Sequence, residues 1–119
     1  MIQTFTIQKA TPSQNETDRM HWAKRRLVAK EWAILIQEQI LECGISKATG
    51  KRELTVERFG VKELDDGNLY GGLKGIIDEL VKFALLIDDD PAHLKLWAGQ
   101  GKLERGEKPH TKFTLKDLE

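Results

Sequence analysis

Cysteine occurs once in this sequence, at Cys43, which excludes an internal disulfide and any multi-cysteine zinc site. A single thiol fits a reducing, cytoplasmic setting. No apolar run approaches the roughly 18–20 residues that a membrane-spanning helix needs, so no membrane partner is expected. The opening stretch MIQTFTIQKATPSQN has no basic start followed by an apolar segment, which predicts no signal peptide. His21, His93 and His110 lie far apart without metal-ligand spacing, so zinc is not expected. Gly71-Gly72 is not part of a phosphate loop, because no GxxxxGK motif surrounds it. Repeats, low-complexity tracts and interdomain linkers are missing too, and net charge is zero, which at first argues against nucleic acid.

What is present is a chain of 119 residues, the size of one domain with a single two-layer core over residues 1–119. With 39% hydrophobic and 32% charged residues, the composition is that of a folded globular protein and not a disordered one. The charge is segregated. Residues 19–30 carry Arg19, Lys24, Arg25, Arg26 and Lys30 with no acid among them, and the region from Lys102 adds Arg105, Lys108, Lys112 and Lys116. From Glu63 to Asp90 there are eight acids against Lys74 and Lys82. A protein that holds a cation and a polyanion together needs this division; an uneven solvated surface is the plainer alternative.

Met1–Gln8 alternates as a strand, and Thr11-Pro12-Ser13-Gln14-Asn15 breaks the pattern with turn and cap formers. Thr17 or Asp18 is then expected to cap a long helix ending near Cys43, with Gly44 as its stop. Its apolar residues include Leu27, Ile34 and Leu41 beyond the main stripe, a surface wide enough for a second neighbour or subunit. Residues 46–52 read as a loop, 53–59 as a strand, and Gly60 as a bend or bulge. A second helix follows the turn Asp65-Asp66-Gly67-Asn68, with Leu69, Leu73, Ile76, Ile77, Leu80, Val81 and Ala84 at helical spacing. It is expected to end near Leu86-Ile87, before Asp88-Asp89-Asp90-Pro91. Residues 93–99 and 111–115 complete the order β-α-β-α-β-β. The expected fold is α+β, or α/β-like, with a small mixed sheet packed against two helices.

The second helix carries the residue types that cut phosphodiesters. Asp65, Asp66 and Asn68 precede it, Lys74 lies one turn in with Asp78 four residues on, and Asp88 and Asp89 follow it. Magnesium takes oxygen ligands, often only one or two carboxylates plus waters and substrate phosphate. A straight helix of about 18 residues is roughly 27 Å long, so the two acidic clusters meet only if the chain turns back. A shorter helix followed by an extended Leu85-Leu86-Ile87 would allow that. Structural alternatives stand beside each reading: the first cluster is what helix N-termini favour, and Lys74–Asp78 is also an ordinary helical pair. Gly71-Gly72 inside the first turns suggests close backbone approach or an irregular helix start.

Three segments together resemble the RusA-like endodeoxyribonucleases, Holliday-junction resolvases of phages and prophages. They are Thr11-Pro12-Ser13-Gln14-Asn15 with the basic run from Arg19 to Arg25, the stretch Asp65–Leu80, and Leu86-Ile87-Asp88-Asp89-Asp90-Pro91. The resemblance implies a homodimer in the bacterial cytoplasm that uses Mg2+, with Mn2+ as substitute, to cut branched DNA in recombination and repair. By position it implies Asp65, Asp88 and Asp89 as metal ligands, Lys74 as the catalytic lysine and Asn68 in support; Asp66, one residue off the family position, is the expected further ligand, and Asp78 supports Lys74 as its helical partner. Arg19, Lys24, Arg25, Arg26 and Lys30 would grip the DNA. Gly67 stands where the family commonly has aspartate; if Asp66 does not replace it, a DNA-binding or interaction module without cleavage is the alternative.

Overall fold

The computed structural model describes residues 1–118. In chain order the elements are β1 (Ile2–Ile7), α1 (Gln14–Arg19), α2 (Trp22–Cys43), β2 (Arg52–Phe59), α3 (Asp66–Gly71), α4 (Lys74–Lys82), β3 (Leu94–Gly101) and β4 (His110–Asp117). The order of strands and helical regions is the one expected, and the fold is α+β with a four-stranded mixed sheet. Each expected helix is divided in two.

The first division has local causes. Ser13 caps α1 in a reciprocal box with Glu16, earlier than the expected cap at Thr17 or Asp18, both of which lie inside α1. Met20 then adopts extended backbone, and the His21 Nδ1 accepts from the Ala23 N–H to start α2. At the far end Gly44 closes α2 as expected, in the left-handed region at φ 65°.

The second division is imposed from a distance. At Gly72 a Cβ would run into the backbone carbonyl oxygen of Pro12, so the chain before α1 lies directly against the α3–α4 junction. There the Leu73 N–H bonds the Tyr70 carbonyl, a tighter three-residue closure, and no side chain caps α4. Both expectations for the glycine pair, close approach and an irregular helix, are met. Because a backbone atom cannot yield, Gly72→Ala is expected to cost about 2–3 kcal/mol, at the upper end for overpacking. That corresponds to a fall in Tm of roughly 10 °C. Gly75, whose added Cβ would meet nothing within 4 Å, is the control: alanine there is expected to stabilise by up to about 1 kcal/mol. Urea or thermal unfolding of the two variants reads both signs.

The sheet order is β1-β4-β2-β3. β4 pairs antiparallel with β1 and β2, while β2 and β3 run parallel, joined across α3 and α4. One sheet face, built from Phe5, Ile7, Leu54, Val56, Phe113 and Leu115, meets Trp32 and Ile36 of α2 and the apolar side of α3 and α4. Phe113 stacks on Phe5 with centroids 5.1 Å apart and meets Trp32 edge-on at 6.4 Å. No helix among the described residues is long and apolar enough to cross a membrane.

Candidate active site

The geometry begins where α4 stops. Its end at Lys82 is four to five residues short of the expected Leu86-Ile87, because Ala84 takes a left-handed conformation at φ 61°. Leu85 and Leu86 are fully buried, and they carry the chain back along the helix instead of extending it. This reversal returns Asp89 to the side of Lys74, but it does not bring Asp89 to Asp65 and Asp66. Tyr70 of α3 and Lys74 and Ile77 of α4 line a cleft of about 280 Å3 together with Asp89 and Pro91. Tyr70 fixes α3 against the sheet by accepting from the Ala98 N–H at 2.9 Å.

The acids differ in what they are free to do. Asp88 accepts from the Asp89 N–H at 2.8 Å, and Asp90 pairs with His93 Nδ1 at 2.7 Å, so both are tied to the turn. Asp89 makes no side-chain hydrogen bond among the described residues and remains exposed beside the cleft. At the other end Asp65 is the N-cap of α3. One of its oxygens accepts from the Asn68 N–H and the other from the Asn68 side-chain amide, each at 2.9 Å. The backbone donor of Asn68 is the main reason its carboxyl is held below the usual range. Asn68 also accepts from the Asn15 N–H at 3.0 Å, which braces α1 against α3. Asp66 is exposed in the first turn of α3.

Lys74 and Asp89 are thus brought together. Asp65, Asp66, Asp88 and Asp89 are not gathered into one cluster: among the described residues no three His, Cys, Asp or Glu side chains stand close enough to hold a metal ion. Lys74 and Asp78 are not within ion-pair distance among the described residues; Glu79 and Lys82 pair instead, at 3.2 Å. Lys74 and Asp78 line a second cleft, of about 460 Å3, shared with Asp18 and Arg25. The cations Arg19, Lys24, Arg25, Arg26 and Lys30 are all exposed. Arg25 donates to the Thr17 carbonyl at the end of α1, and the Arg26 guanidinium lies over the Trp22 ring, 5.8 Å from its centroid. Sequence reasoning missed Tyr70, although its place four residues before Lys74 put it on the same face of the expected helix.

No family model matches the chain, and no curated protein matches it. The likeness to RusA-like enzymes therefore stands on the three sequence segments alone.

Proposed function

We propose that the protein is a metal-dependent endodeoxyribonuclease acting on branched DNA such as Holliday junctions, in recombination or repair in a bacterial cytoplasm. The observation that carries this reading is the return of Asp89 to Lys74 in one cleft. The exposed carboxylate of Asp89 beside Lys74 suits a cation that asks for one or two protein carboxylates; Asp65 and Asp66, outside that cleft in this structure, would have to approach it. Those residues would hold Mg2+ or Mn2+, with Asp88 secondary. Bound there, the ion would supply Lewis acidity and ease deprotonation of the attacking water. Lys74 places positive charge where negative charge grows on the phosphate during attack. Asn68 keeps Asp65 ionised and oriented, Asp78 supports the Lys74 side of the helix, and the basic surface of α1 and α2 grips phosphates.

The test is a synthetic four-way junction with Mg2+, read by symmetric nicking; no nicking with Mg2+ or Mn2+ overturns the reading. A binding module without cleavage is favoured by one observation, that both oxygens of Asp65 are already engaged by Asn68. Tight junction binding in Ca2+ with no cutting in Mg2+ or Mn2+ would select that rival.

The expected partner is a second copy. Leu27, Ile34 and Leu41 recur every seven residues on α2, are 66%, 58% and 78% exposed, and lie opposite the buried Trp32 and Ile36. The first half of α2 carries Lys24, Arg25, Arg26 and Lys30 against the single acid Glu31; the second carries Glu38 and Glu42 and no base. An antiparallel pairing of two α2 helices covers the apolar line and lays each basic half over an acidic one. Sedimentation is expected to give twice the chain mass for wild type and a monomer for Ile34→Glu, with folding retained because Ile34 lies outside the core.

A further inference from the structure

A second arrangement of cations lies at the opposite side of the β2–α3 loop. The crevice outside the carboxyl ends of the parallel strands β2 and β3 has a volume of about 540 Å3. Arg58, Lys62 and Lys102 line it, with Glu63 as the one acid among the lining residues. Arg58 is only 7% exposed. Its Nε donates to the Thr11 carbonyl at 2.7 Å and its Nη1 to the Lys62 carbonyl at 2.9 Å. The guanidinium fills the space beside Gly60 that a Cβ would occupy. Nη2 has no protein acceptor, yet it is not sealed from solvent, and no carboxylate among the described residues is within ion-pair distance of Arg58.

Two carbonyl contacts account for Arg58 as a brace, but neutral donors would serve them equally well. The charge is left over. Burying a cation without an anion is costly, and burial lowers the affinity of this guanidinium for its proton, opposed only by the field of Glu16. An anion in the crevice would settle that cost, and Lys62 and Lys102 would supply two more contacts to it. Position agrees with charge, because ligands of parallel sheets bind outside the carboxyl ends of the strands. The loop is also held in place: Gln100 both accepts from the Leu64 N–H at 2.9 Å and donates to the Leu64 carbonyl at 2.6 Å, one residue before Asp65.

We infer that this crevice is a phosphate seat, formed by Arg58, Lys62 and Lys102, for a phosphodiester of the nucleic-acid backbone or a free phosphate. For its backbone source the inference rests on the nucleic-acid reading above, and there it adds a contact directly upstream of Asp65. The free-phosphate source does not depend on that reading.

Two measurements on the full chain test it. Junction DNA is titrated in Ca2+ at several salt concentrations with wild type and the double variant Lys62→Gln/Lys102→Gln. Losing two phosphate contacts is expected to weaken binding roughly 30-fold near 0.15 M salt and to flatten the salt slope by about two. In parallel, inorganic phosphate and pyrophosphate are titrated while the Arg58 Nε–H resonance is followed by NMR. A DNA effect without an anion shift assigns the seat to backbone phosphate, and a shift without a DNA effect assigns it to free phosphate. Unchanged DNA affinity together with an unmoved Arg58 resonance overturns the inference. So does an equal DNA loss in Lys95→Gln/Lys116→Gln, two exposed lysines elsewhere on the sheet, if the Arg58 resonance is also unmoved. Failure of the nuclease reading shows separately, as absent cutting in Mg2+ while the double variant still loses affinity.

Discussion

Asp89→Asn is expected to lower Mg2+-dependent junction nicking by about 1,000-fold while leaving junction binding in Ca2+ within about threefold of wild type. Losing a charged ligand removes several kcal/mol of charge stabilisation, and each 1.36 kcal/mol is a tenfold change in rate. Asparagine keeps the shape of Asp89 but not its charge. The substitution touches no core residue, because Asp89 is exposed and makes no side-chain hydrogen bond among the described residues. A Tm within about 2 °C of wild type is therefore expected, which separates lost chemistry from lost folding. Asp88→Asn is the comparison. Its Oδ1 accepts a hydrogen bond inside the turn, an amide oxygen can do the same, and the nicking rate is expected to fall far less. Equal nicking by wild type and Asp89→Asn would remove Asp89 from the site.

The largest loss of stability is expected at Arg52, at the start of β2. Its side chain is 2% exposed and donates to Asp117 at 2.7 Å, to the Ser46 and Leu85 carbonyls at 2.9 Å each, and to the Lys47 carbonyl at 3.3 Å. It pins β4, the loop after α2 and the turn after α4 to one point. Arg52→Ala strands these carbonyls and leaves a void, with a cost of about 3–5 kcal/mol. A Tm drop of roughly 10 °C or more follows. Arg52→Met, which refills the volume without donors, is expected to fall between.

The pair also has a pH signature. The hydrogen bond from Arg52 is the main cause that holds the Asp117 carboxyl below its usual range. A carboxyl depressed in the folded state favours folding above its unfolded value near 3.9, and that contribution fades as pH falls through the folded value. The stability gap between wild type and Arg52→Ala should accordingly narrow below about pH 4. Asp117 should titrate in the ordinary range in the variant, a change that NMR can follow.

The sequence made the element order, the sheet type and the Gly44 stop readable, because strands of period two and a glycine C-cap are written in neighbouring residues. Of the helix breaks it signalled only the one at Gly71-Gly72, and not its cause. The interruption at Gly72 depends on the Pro12 carbonyl, sixty positions earlier in the chain. The early end of α4 depends on Ala84 at positive φ, a conformation for which alanine gives no local sign. Leu85 and Leu86 were therefore readable either as a continuing helix or as an extended stretch, and the fold makes them the buried return. Asp65, Lys74 and Asp89 were identifiable by type, but only the reversal put Lys74 and Asp89 in one cleft. Arg52 and Arg58 share the inward phase of Leu54 and Val56 on β2; a charged residue in that phase was the available signal for both.

One consequence of the strand order concerns biosynthesis. Residues 2–7 leave the ribosome long before the stretch 111–116, their only sheet partner among the described residues. At about 5–20 residues per second, β1 waits roughly 5–20 seconds for that partner to be translated. During that interval β2 also lacks β4 as a neighbour, so nascent chains carry open strand edges that a chaperone would shield. The same pairing brings Met1 and Asp117 together. A circular permutant that links them and opens at exposed Gly106 should let β4 and β1 emerge as a hairpin, and fold during synthesis without that delay.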